Sequence, residues 1–291
     1  RQASDIDLTI NTAGIGAAGP VGPRHDYCSL INTNLEISSR ELIEKTGLKN
    51  AYLMNDFEAI GWAVNILEEE GNAGLVRIKE SRGGVPGLER AGRAVLGAGT
   101  GLGKAFLHYH EEVECFRPAP SEGGHIDFPV QDGFELELIE YVREKRVIES
   151  VNYEELLSGR GIKHIHGFLT QKKGYESSMP DAQVDGNDPS AIFGSWETDE
   201  ACRQTFKLFS RFYGRCAKNL VLESLAWGGL YIGGGIAAKN PMLFELDCFL
   251  EEFLKSDFKR HILDETPIYL IKDYNVSLLG AAYAGNVSYK K

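Results

Sequence analysis

The glycine-rich segment at residues 97–103 has the composition of an anion-binding loop. It reads Gly-Ala-Gly-Thr-Gly-Leu-Gly, with glycine at every second position. Glycine tolerates positive φ and carries no Cβ, so successive backbone N–H groups can turn toward one anion. A plain hairpin turn is the alternative interpretation, although two residues suffice for such a turn. We predict phosphate binding by a loop whose residues include Gly97, Gly99, Thr100, Gly101 and Gly103.

Two commoner phosphate motifs do not fit this segment. The dinucleotide fingerprint G-x-G-x-x-G would require glycine at Leu102. The Walker A loop would require glycine at Ala98 and Ser or Thr at Ala105, although Gly103-Lys104 imitates its end. The segment therefore belongs to neither the Rossmann nor the P-loop class.

Two pairs of polar residues have types suited to proton transfer or hydroxyl binding. Asn55-Asp56 follows an apolar run, where α/β folds place ligand groups, and a carboxylate there can accept the proton of an attacking hydroxyl. A helix N-cap is the alternative. Glu122 and His125 have the spacing of a metal pair, but the two glycines between them disfavour the helix that such pairs need. A polar loop that binds hydroxyls fits better, and a solvated turn is its alternative.

Glu154 and the triple glycine at residues 233–235 carry less information by themselves. Glu154 lies in the first turn of a predicted helix, where the helix dipole alone favours an acid. The glycines stand between a predicted strand and a predicted helix. They can let a nucleotide base or ribose lie against bare backbone, whereas a sharp turn would need only one glycine.

The cysteine and histidine patterns do not predict a metal centre. The five cysteines are scattered and form no C-x-x-C pair, which is typical of reduced thiols in a cytoplasm. Two His-x-His pairs lack an evident third ligand, so we interpret them as surface histidines. These residues are Cys28, Cys115, Cys202, Cys216 and Cys248, and His108, His110, His164 and His166.

The composition is that of a soluble globular protein. The chain has 291 residues, 43% apolar and 25% charged, which is enough for two domains or lobes. Its net charge of −11 argues against broad binding to nucleic acid or a membrane surface, because no basic field is available. No apolar run has membrane-spanning length and the first residues do not resemble a signal peptide, so we expect a cytoplasmic protein.

Apolar runs and capping residues predict alternating strands and helices, hence an α/β protein. We expect strands at residues 6–10, 51–54, 93–96, 105–107, 230–232 and 268–271. We expect helices from a capping box at Ser38 to Gly47, at about 58–70, 134–146, 153–158 (capped by Asn152, with Gly159 behind it) and 199–225, from Asn240-Pro241 onward, and at 278–284. Residues 71–92 and 172–188 are expected to be exposed connections.

Taken together, these segments resemble the bacterial-type glucokinase family, whose members have the actin-like ATPase (ribonuclease H-like) fold also found in hexokinase. Each piece alone is common, but all occur in family order across nearly the whole chain. The matching pieces are Gly19-Pro20-Val21, Asn32, Met54-Asn55-Asp56-Phe57, residues 97–103, residues 122–128 (Glu-Gly-Gly-His-Ile-Asp-Phe), Glu154 with Leu157-Ser158-Gly159, and residues 228–236.

The resemblance implies an ATP- and Mg²⁺-dependent kinase that phosphorylates glucose on its 6-hydroxyl, with Asp56 as general base. It implies that Thr100 and the glycine loop hold the ATP phosphates and that Gly234-Gly235 flank the nucleoside. The residues implied to bind the other sugar hydroxyls are Asn32, Asn55, Glu122, His125 and Glu154.

The resemblance also implies two lobes around a sugar-binding cleft, and a homodimer. Residues 1–66 plus 276–291 would form the small lobe, and residues 67–275 the large lobe. The related ROK family of sugar kinases is disfavoured, because its cysteine-rich zinc motif has no counterpart here.

Two departures from the family pattern keep other functions open. Family members carry a D-x-G-G-T phosphate loop upstream of the segment that matches residues 6–21, and no such motif occurs in these 291 residues. Either the sequence begins downstream of that loop, or the loop has been lost. Leu35 also replaces an aromatic residue of the family. A sugar-binding protein without kinase activity and a kinase for another hexose are therefore the alternatives.

Overall fold

The computed structural model describes residues 9–30, 35–67, 74–179, 189–273 and 275–289. These residues group into two compact units. Unit 1 comprises the described parts of Arg1–Leu75, Ala105–Pro120 and Asp273–Lys291, and unit 2 those of Val76–Lys104 and Ser121–Lys272.

The strands and helices alternate along the chain. The strands are β1 (Thr12–Ala17), β2 (Tyr27–Ser29), β3 (Glu36–Ser38), β4 (Asn50–Asn55), β5 (Leu75–Lys79), β6 (Arg93–Ala98), β7 (Leu102–His110), β8 (Cys115–Ser121), β9 (Gly229–Gly233) and β10 (Ile268–Ile271). The helices are α1 (Ser39–Thr46), α2 (Asp56–Leu67), α3 (Gly133–Arg146), α4 (Gly159–Lys173), α5 (Ser190–Gly194), α6 (Glu200–Ser224), α7 (Gly235–Lys239), α8 (Asp247–Phe253), α9 (Arg260–Glu265) and α10 (Val276–Tyr289).

In unit 1, β1 and β4 pair in parallel, with Ala17 opposite Asn55 at their carboxyl ends. Helix α10 packs against both β1 and α2. The small side chains of Ala281 and Ala284 lie in a buried cluster with Ala59 and Trp62. The pair of strands and its two helices thus form one core, and Asp56 follows directly where β4 ends.

The contact of α10 with α2 depends on Gly280. A Cβ at this position would overlap the backbone carbonyl of Ala59. We expect Gly280→Ala to lower the free energy of unfolding by about 1–3 kcal/mol, as overpacked cores do. Chemical denaturation would measure this loss. Gly133→Ala is the matched control, because a Cβ there meets open space, and equal losses for the two variants would contradict the prediction.

Residues 105–120 group with unit 1, whereas the expected boundaries placed them in the large lobe. The side chain of Asn65 on α2 explains the grouping. Its Nδ2 donates to the carbonyl of Phe116 (2.9 Å), and its Oδ1 accepts from the N–H of the same residue (2.7 Å). Pro118 also lies close to Gly61 of α2, so this part of β8 is anchored to the helix.

Unit 2 contains strands in the order β5-β10-β9-β6. β9 pairs in parallel with β10 and with β6, and Gly97 lies opposite Gly233 at the carboxyl ends of β6 and β9. Every residue of β9 is buried. The sheet therefore brings the first glycine of the 97–103 segment beside the start of the 233–235 segment.

Most predicted elements are confirmed, including β4, β6, β7, β9, β10, α3, α6 and α10. Helix α1 also forms, and Gly47 ends it with a φ of 74°, although the side chain of Ser38 makes no capping hydrogen bond. The long helix α6 begins as predicted at Asp199, whose carboxylate accepts the N–H of Cys202.

Four local predictions of secondary structure were wrong. The predicted strand at residues 6–10 falls partly outside the described residues, and the strand itself begins at Thr12. Residues 71–92 were expected to be a connection but contain β5, which lies beside β10. Asn240-Pro241 begins a short 3₁₀ turn, Pro241–Phe244, and the helix α8 follows separately.

The predicted helix at residues 153–158 is a single 3₁₀ turn, and Gly159 begins a helix instead of ending one. Asn152 accepts from the N–H of Glu155 at the start of the turn. The side chain of Ser158 then accepts from the N–H of Gly161 and caps α4 (3.2 Å). Two capping residues six positions apart thus divide the segment into a turn and a separate long helix.

Candidate active site

Asn55 and Asp56 occupy the junction of β4 and α2 in unit 1. Both side chains are half-buried, and both Oδ1 atoms lie within hydrogen-bond distance of the N–H of Phe57, at 2.9 and 3.0 Å. The first turn of α2 favours a negative charge, because its unpaired N–H groups form the positive end of the helix dipole. The predicted N-cap role and the predicted ligand role are therefore compatible in one carboxylate.

In the glycine loop of unit 2, one of the backbone N–H groups is hydrogen-bonded within the loop. Gly99 donates to the carbonyl of Gly101 (2.8 Å), and its own carbonyl accepts from Gly159 at the start of α4 (2.9 Å). Within the described part of the chain, the N–H groups of Thr100 and Gly101 have no protein acceptor. These two N–H groups are the donors that the loop can offer to an anion.

Glu154 is hydrogen-bonded to the backbone of the glycine loop. Its Oε2 accepts the N–H of Leu102 at 3.0 Å, and its Oε1 lies 3.2 Å from Nη2 of Arg160. A Cβ at Gly101 would lie only 2.6 Å from the same Oε2, so a side chain at this position would displace the carboxylate of Glu154. The carboxylate is held on both sides and keeps lone pairs for a further donor.

Arg160 is a residue that sequence reasoning missed. It lies six positions after Glu154 as the second residue of α4, and it also pairs with Glu155 at 2.9 Å. The sequence signal for these ion pairs was the two acids Glu154 and Glu155 followed by Arg160. The signal was missed because the predicted helix at residues 153–158 was expected to end before Arg160.

Glu122 and His125 lie on a 3₁₀ turn next to Glu154. The backbone after the turn pairs with the segment before Glu154: Tyr153 donates to Ile126 (3.0 Å) and Phe128 to Val151 (2.9 Å). His125 Nε2 lies 3.7 Å from Glu122 Oε2, and both side chains are exposed. The described residues thus bring these three predicted sugar ligands to one region of unit 2.

Gly234 lies directly beside the glycine loop. Its φ is 87°, and a Cβ would come within 2.7 Å of the carbonyl oxygen of Ala98. Glycine at this position therefore allows the two loops at the ends of β6 and β9 to approach each other. Gly235 follows as the first residue of α7, with its backbone at the same end of the sheet.

The predicted site residues divide between the two units. Asn55 and Asp56 belong to unit 1, and the glycine loop, Glu122, His125, Glu154 and Gly234-Gly235 belong to unit 2. Asn32 lies outside the described residues. The binding roles of all these residues stay predictions.

The interpretation of His164 and His166 as surface residues was wrong, since they are only 4% and 1% exposed. His166 lies near Asp199 and Cys202 at the start of α6, whereas His164 lies near Glu155. Burial lowers the pKa of His164, although its Nδ1 hydrogen bonds to the carbonyl of Glu155 (2.9 Å). His108 and His110 are exposed, as predicted.

Comparisons with known proteins agree with the geometry. The glucokinase family model matches residues 2–287. The glucokinase of Nostoc punctiforme is 34% identical over 281 residues, which cover 91% of this chain and 79% of that protein. A crystal structure of glucokinase from an Antarctic psychrotroph has a TM-score of 0.77 and 26% identity, covering 93% of this chain and 79% of that one.

A second solved structure, a glucokinase of Balamuthia mandrillaris in complex with glucose, has a TM-score of 0.79 and 22% identity over 94% of this chain and 78% of that one. The fold is the actin-like fold of sugar kinases. The chain belongs to the glucokinase family. The predicted family, fold class and enzyme class are thereby confirmed.

Proposed function

We propose that this chain transfers the γ-phosphoryl group of ATP to the 6-hydroxyl of glucose, giving glucose 6-phosphate and ADP. Membership of the glucokinase family supports this activity. The structural observation that supports this activity most directly is the hydrogen bond from the N–H of Leu102 to Glu154. It joins the loop proposed to hold phosphate to a carboxylate proposed to hold the sugar.

Asp56 acts as the general base in this proposal. Its carboxylate accepts the proton of the 6-hydroxyl as the oxygen attacks phosphorus, and the bond from the γ-phosphorus to the bridging oxygen breaks to release ADP. Asn32, Asn55, Glu122, His125 and Glu154 hold the other hydroxyls. Gly234 and Gly235 leave space for the nucleoside. Phosphoryl transfer depends mainly on such positioning and on electrostatic stabilisation.

Thr100 and its neighbours hold the phosphates of ATP. The N–H groups of Thr100 and Gly101 are the available donors, and the Thr100 side chain is exposed for a further contact. Glu154, the carboxylate in contact with the loop, is engaged by Leu102 and Arg160, so Mg²⁺ would be held mainly through the phosphates of ATP near Thr100. When bound, the ion would neutralise phosphate charge.

Glucose-dependent release of ADP tests the proposal. We expect turnover with glucose and binding without turnover for 6-deoxyglucose, which lacks the attacking oxygen. Binding of glucose without any ADP release would instead favour the alternative, a sugar-binding protein of the same fold. Competition by mannose or fructose, followed by identification of the phosphorylated product, tests whether another hexose is the preferred substrate.

Glu154→Gln should raise the KM for ATP and for glucose together. The amide replaces one carboxylate oxygen by an NH₂ group, so either Leu102 or Arg160 then faces a donor instead of an acceptor, and fewer lone pairs remain for a sugar hydroxyl. We expect kcat/KM to fall by about 10²-fold, the size of one lost charge-assisted hydrogen bond of about 2–3 kcal/mol. Glu149→Gln, an exposed acid in the same unit, is the control. A change in one KM alone would contradict the shared role.

A cytoplasmic location and a homodimer are further parts of the proposal. The scattered cysteines suggest the location, and the family resemblance suggests the dimer. Within the described residues, no helix combines the length and apolar character needed to cross a bilayer. The described cysteines are free thiols. Sedimentation velocity over a range of protein concentrations would test the dimer.

A further inference from the structure

A buried cluster of three different metal-ligating side chains lies in unit 2, apart from the residues assigned to glucose and ATP. His166, Asp199 and Cys202 each offer one ligand atom, and these atoms all lie within 4.8 Å of one another. The three residues are 1%, 3% and 0% exposed. We propose that His166, Asp199 and Cys202 form a structural binding site for a divalent metal ion of the zinc type.

Two packed helices position the three ligands. His166 lies on the inner face of α4, and Asp199 and Cys202 begin α6, which packs against α4. Residues three positions apart share one face of a helix, so the spacing of Asp199 and Cys202 directs both side chains the same way. The hydrogen bond from the N–H of Cys202 to Asp199 Oδ1 (2.9 Å) fixes that arrangement.

The ligand types suit zinc better than magnesium or calcium. Imidazole nitrogen, thiolate sulfur and carboxylate oxygen are the ligands of protein-bound Zn²⁺, whereas Mg²⁺ and Ca²⁺ take oxygen ligands. The charges also balance, because one thiolate and one carboxylate neutralise a divalent ion. The ion and its ligands together then carry no net charge, and an uncharged group costs the least free energy to bury. A water molecule can complete four-coordination.

A set of hydroxyl and N–H donors surrounds the cluster as outer partners of the ligands. Ser177 Oγ lies 2.9 Å from Asp199 Oδ2 and 3.3 Å from His166 Nε2. The N–H and the hydroxyl of Ser178 also donate to Asp199 Oδ2, at 2.6 and 3.0 Å. Such partners orient the ligands of metal sites and contribute to their affinity.

Metal binding replaces one proton. Thiolate, and not thiol, is the form of cysteine that ligates a metal ion, and the Cys202 side chain is completely buried. The S–H proton of Cys202 therefore leaves to the solvent as the metal–sulfur bond forms.

Cobalt substitution tests this site in the full chain. After treatment with a chelator, the protein should bind one equivalent of Co²⁺ and show thiolate-to-cobalt charge transfer in the near ultraviolet with visible bands of a four-coordinate ion. Zn²⁺ added afterwards should remove these bands. Calorimetry should give one Zn²⁺ per chain, and Zn²⁺, but not excess Mg²⁺, should raise the Tm.

Variants separate this site from the other cysteines and from the active site. Cys202→Ser should lose the near-ultraviolet band and weaken Zn²⁺ binding by at least about 100-fold, whereas Cys248→Ser, a half-buried thiol in the same unit, should keep both. Ser177→Ala should weaken binding by about 10–100-fold, as outer partners do. Absence of a cobalt–thiolate band in the unaltered protein, or its persistence in Cys202→Ser, would overturn the proposal. Should Cys202→Ser fail to fold, the unaltered protein and Ser177→Ala still decide it.

Discussion

Asp56→Asn should reduce kcat for glucose phosphorylation by about 10²–10⁴-fold, the usual contribution of a general base. Asparagine keeps the size of the side chain and the acceptor for the N–H of Phe57, but it cannot take a proton from the 6-hydroxyl. The Kd for glucose should change by less than about 10-fold, because the proposed hydroxyl ligands remain. Steady-state kinetics and glucose titration would measure the two effects separately.

Asp26→Asn is the matched control, since Asp26 also lies in unit 1 and its side chain is exposed. The control should keep normal kcat, and both variants should keep the Tm of the unaltered protein. If Asp56→Asn turned over glucose normally, another group would have to accept the proton. If it lost glucose binding at full kcat, Asp56 would be a sugar ligand instead of a base.

Arg215→Met should lower the free energy of unfolding by about 3–5 kcal/mol, as removal of one partner from a buried ion pair does. Arg215 is completely buried. Its Nη1 and Nη2 donate to the two oxygens of Glu135 at 2.7 and 2.8 Å, and its Nε donates to Glu252 at 2.9 Å. Methionine fills the space but removes the buried guanidinium that makes three hydrogen bonds to these two carboxylates. Urea denaturation would measure the loss.

Two comparisons identify the cause of that loss. Arg211→Met removes a half-buried guanidinium that approaches the same two carboxylates at 3.1 and 3.5 Å, and it should cost less than about 1 kcal/mol. The triple variant Arg215→Met, Glu135→Leu, Glu252→Leu should regain much of the stability, because it leaves no unpaired charge. Equal losses for Arg215→Met and the triple variant would show that packing, and not charge, is responsible.

The same ion network predicts how stability depends on pH. Burial raises the pKa of Glu252, but the hydrogen bond and charge of Arg215 outweigh burial and hold it below the ordinary value. A carboxylate whose pKa is lower in the folded state stabilises the protein above its unfolded pKa of about 4.3. That contribution is lost as pH falls through the folded pKa. Denaturation between pH 3 and 6 should show a smaller loss with acid for Arg215→Met.

Features determined by neighbouring residues were predictable from the sequence. Helix α6 has its N-cap Asp199 and its apolar face in one continuous segment, and the glycine loop has its flanking strands on either side. The local predictions were wrong where contacts with residues distant in sequence determine the secondary structure. Residues 75–79 form a strand because β10, almost two hundred positions later, lies beside them.

The geometry of the candidate site depended on such distant contacts even more strongly. Nothing near Glu154 indicates that it accepts the N–H of Leu102, which lies 52 positions earlier. His166 likewise meets Asp199 and Cys202 only because α4 packs against α6. Sequence could propose the residue types for each role, but the partner of each side chain is set by the packing of whole helices.

The division of unit 1 into three separate segments has a consequence for the synthesis of the protein. Helix α10 supplies Ala281 and Ala284 to a core whose other members, Ala59 and Trp62, are translated much earlier. During translation, the apolar faces of α2 and β1 therefore remain exposed to solvent until α10 has left the ribosome. Unit 2 has all its segments before that point. Chaperones that bind nascent chains should thus protect unit 1 longer than unit 2, and a premature stop before Val276 would leave those early faces exposed.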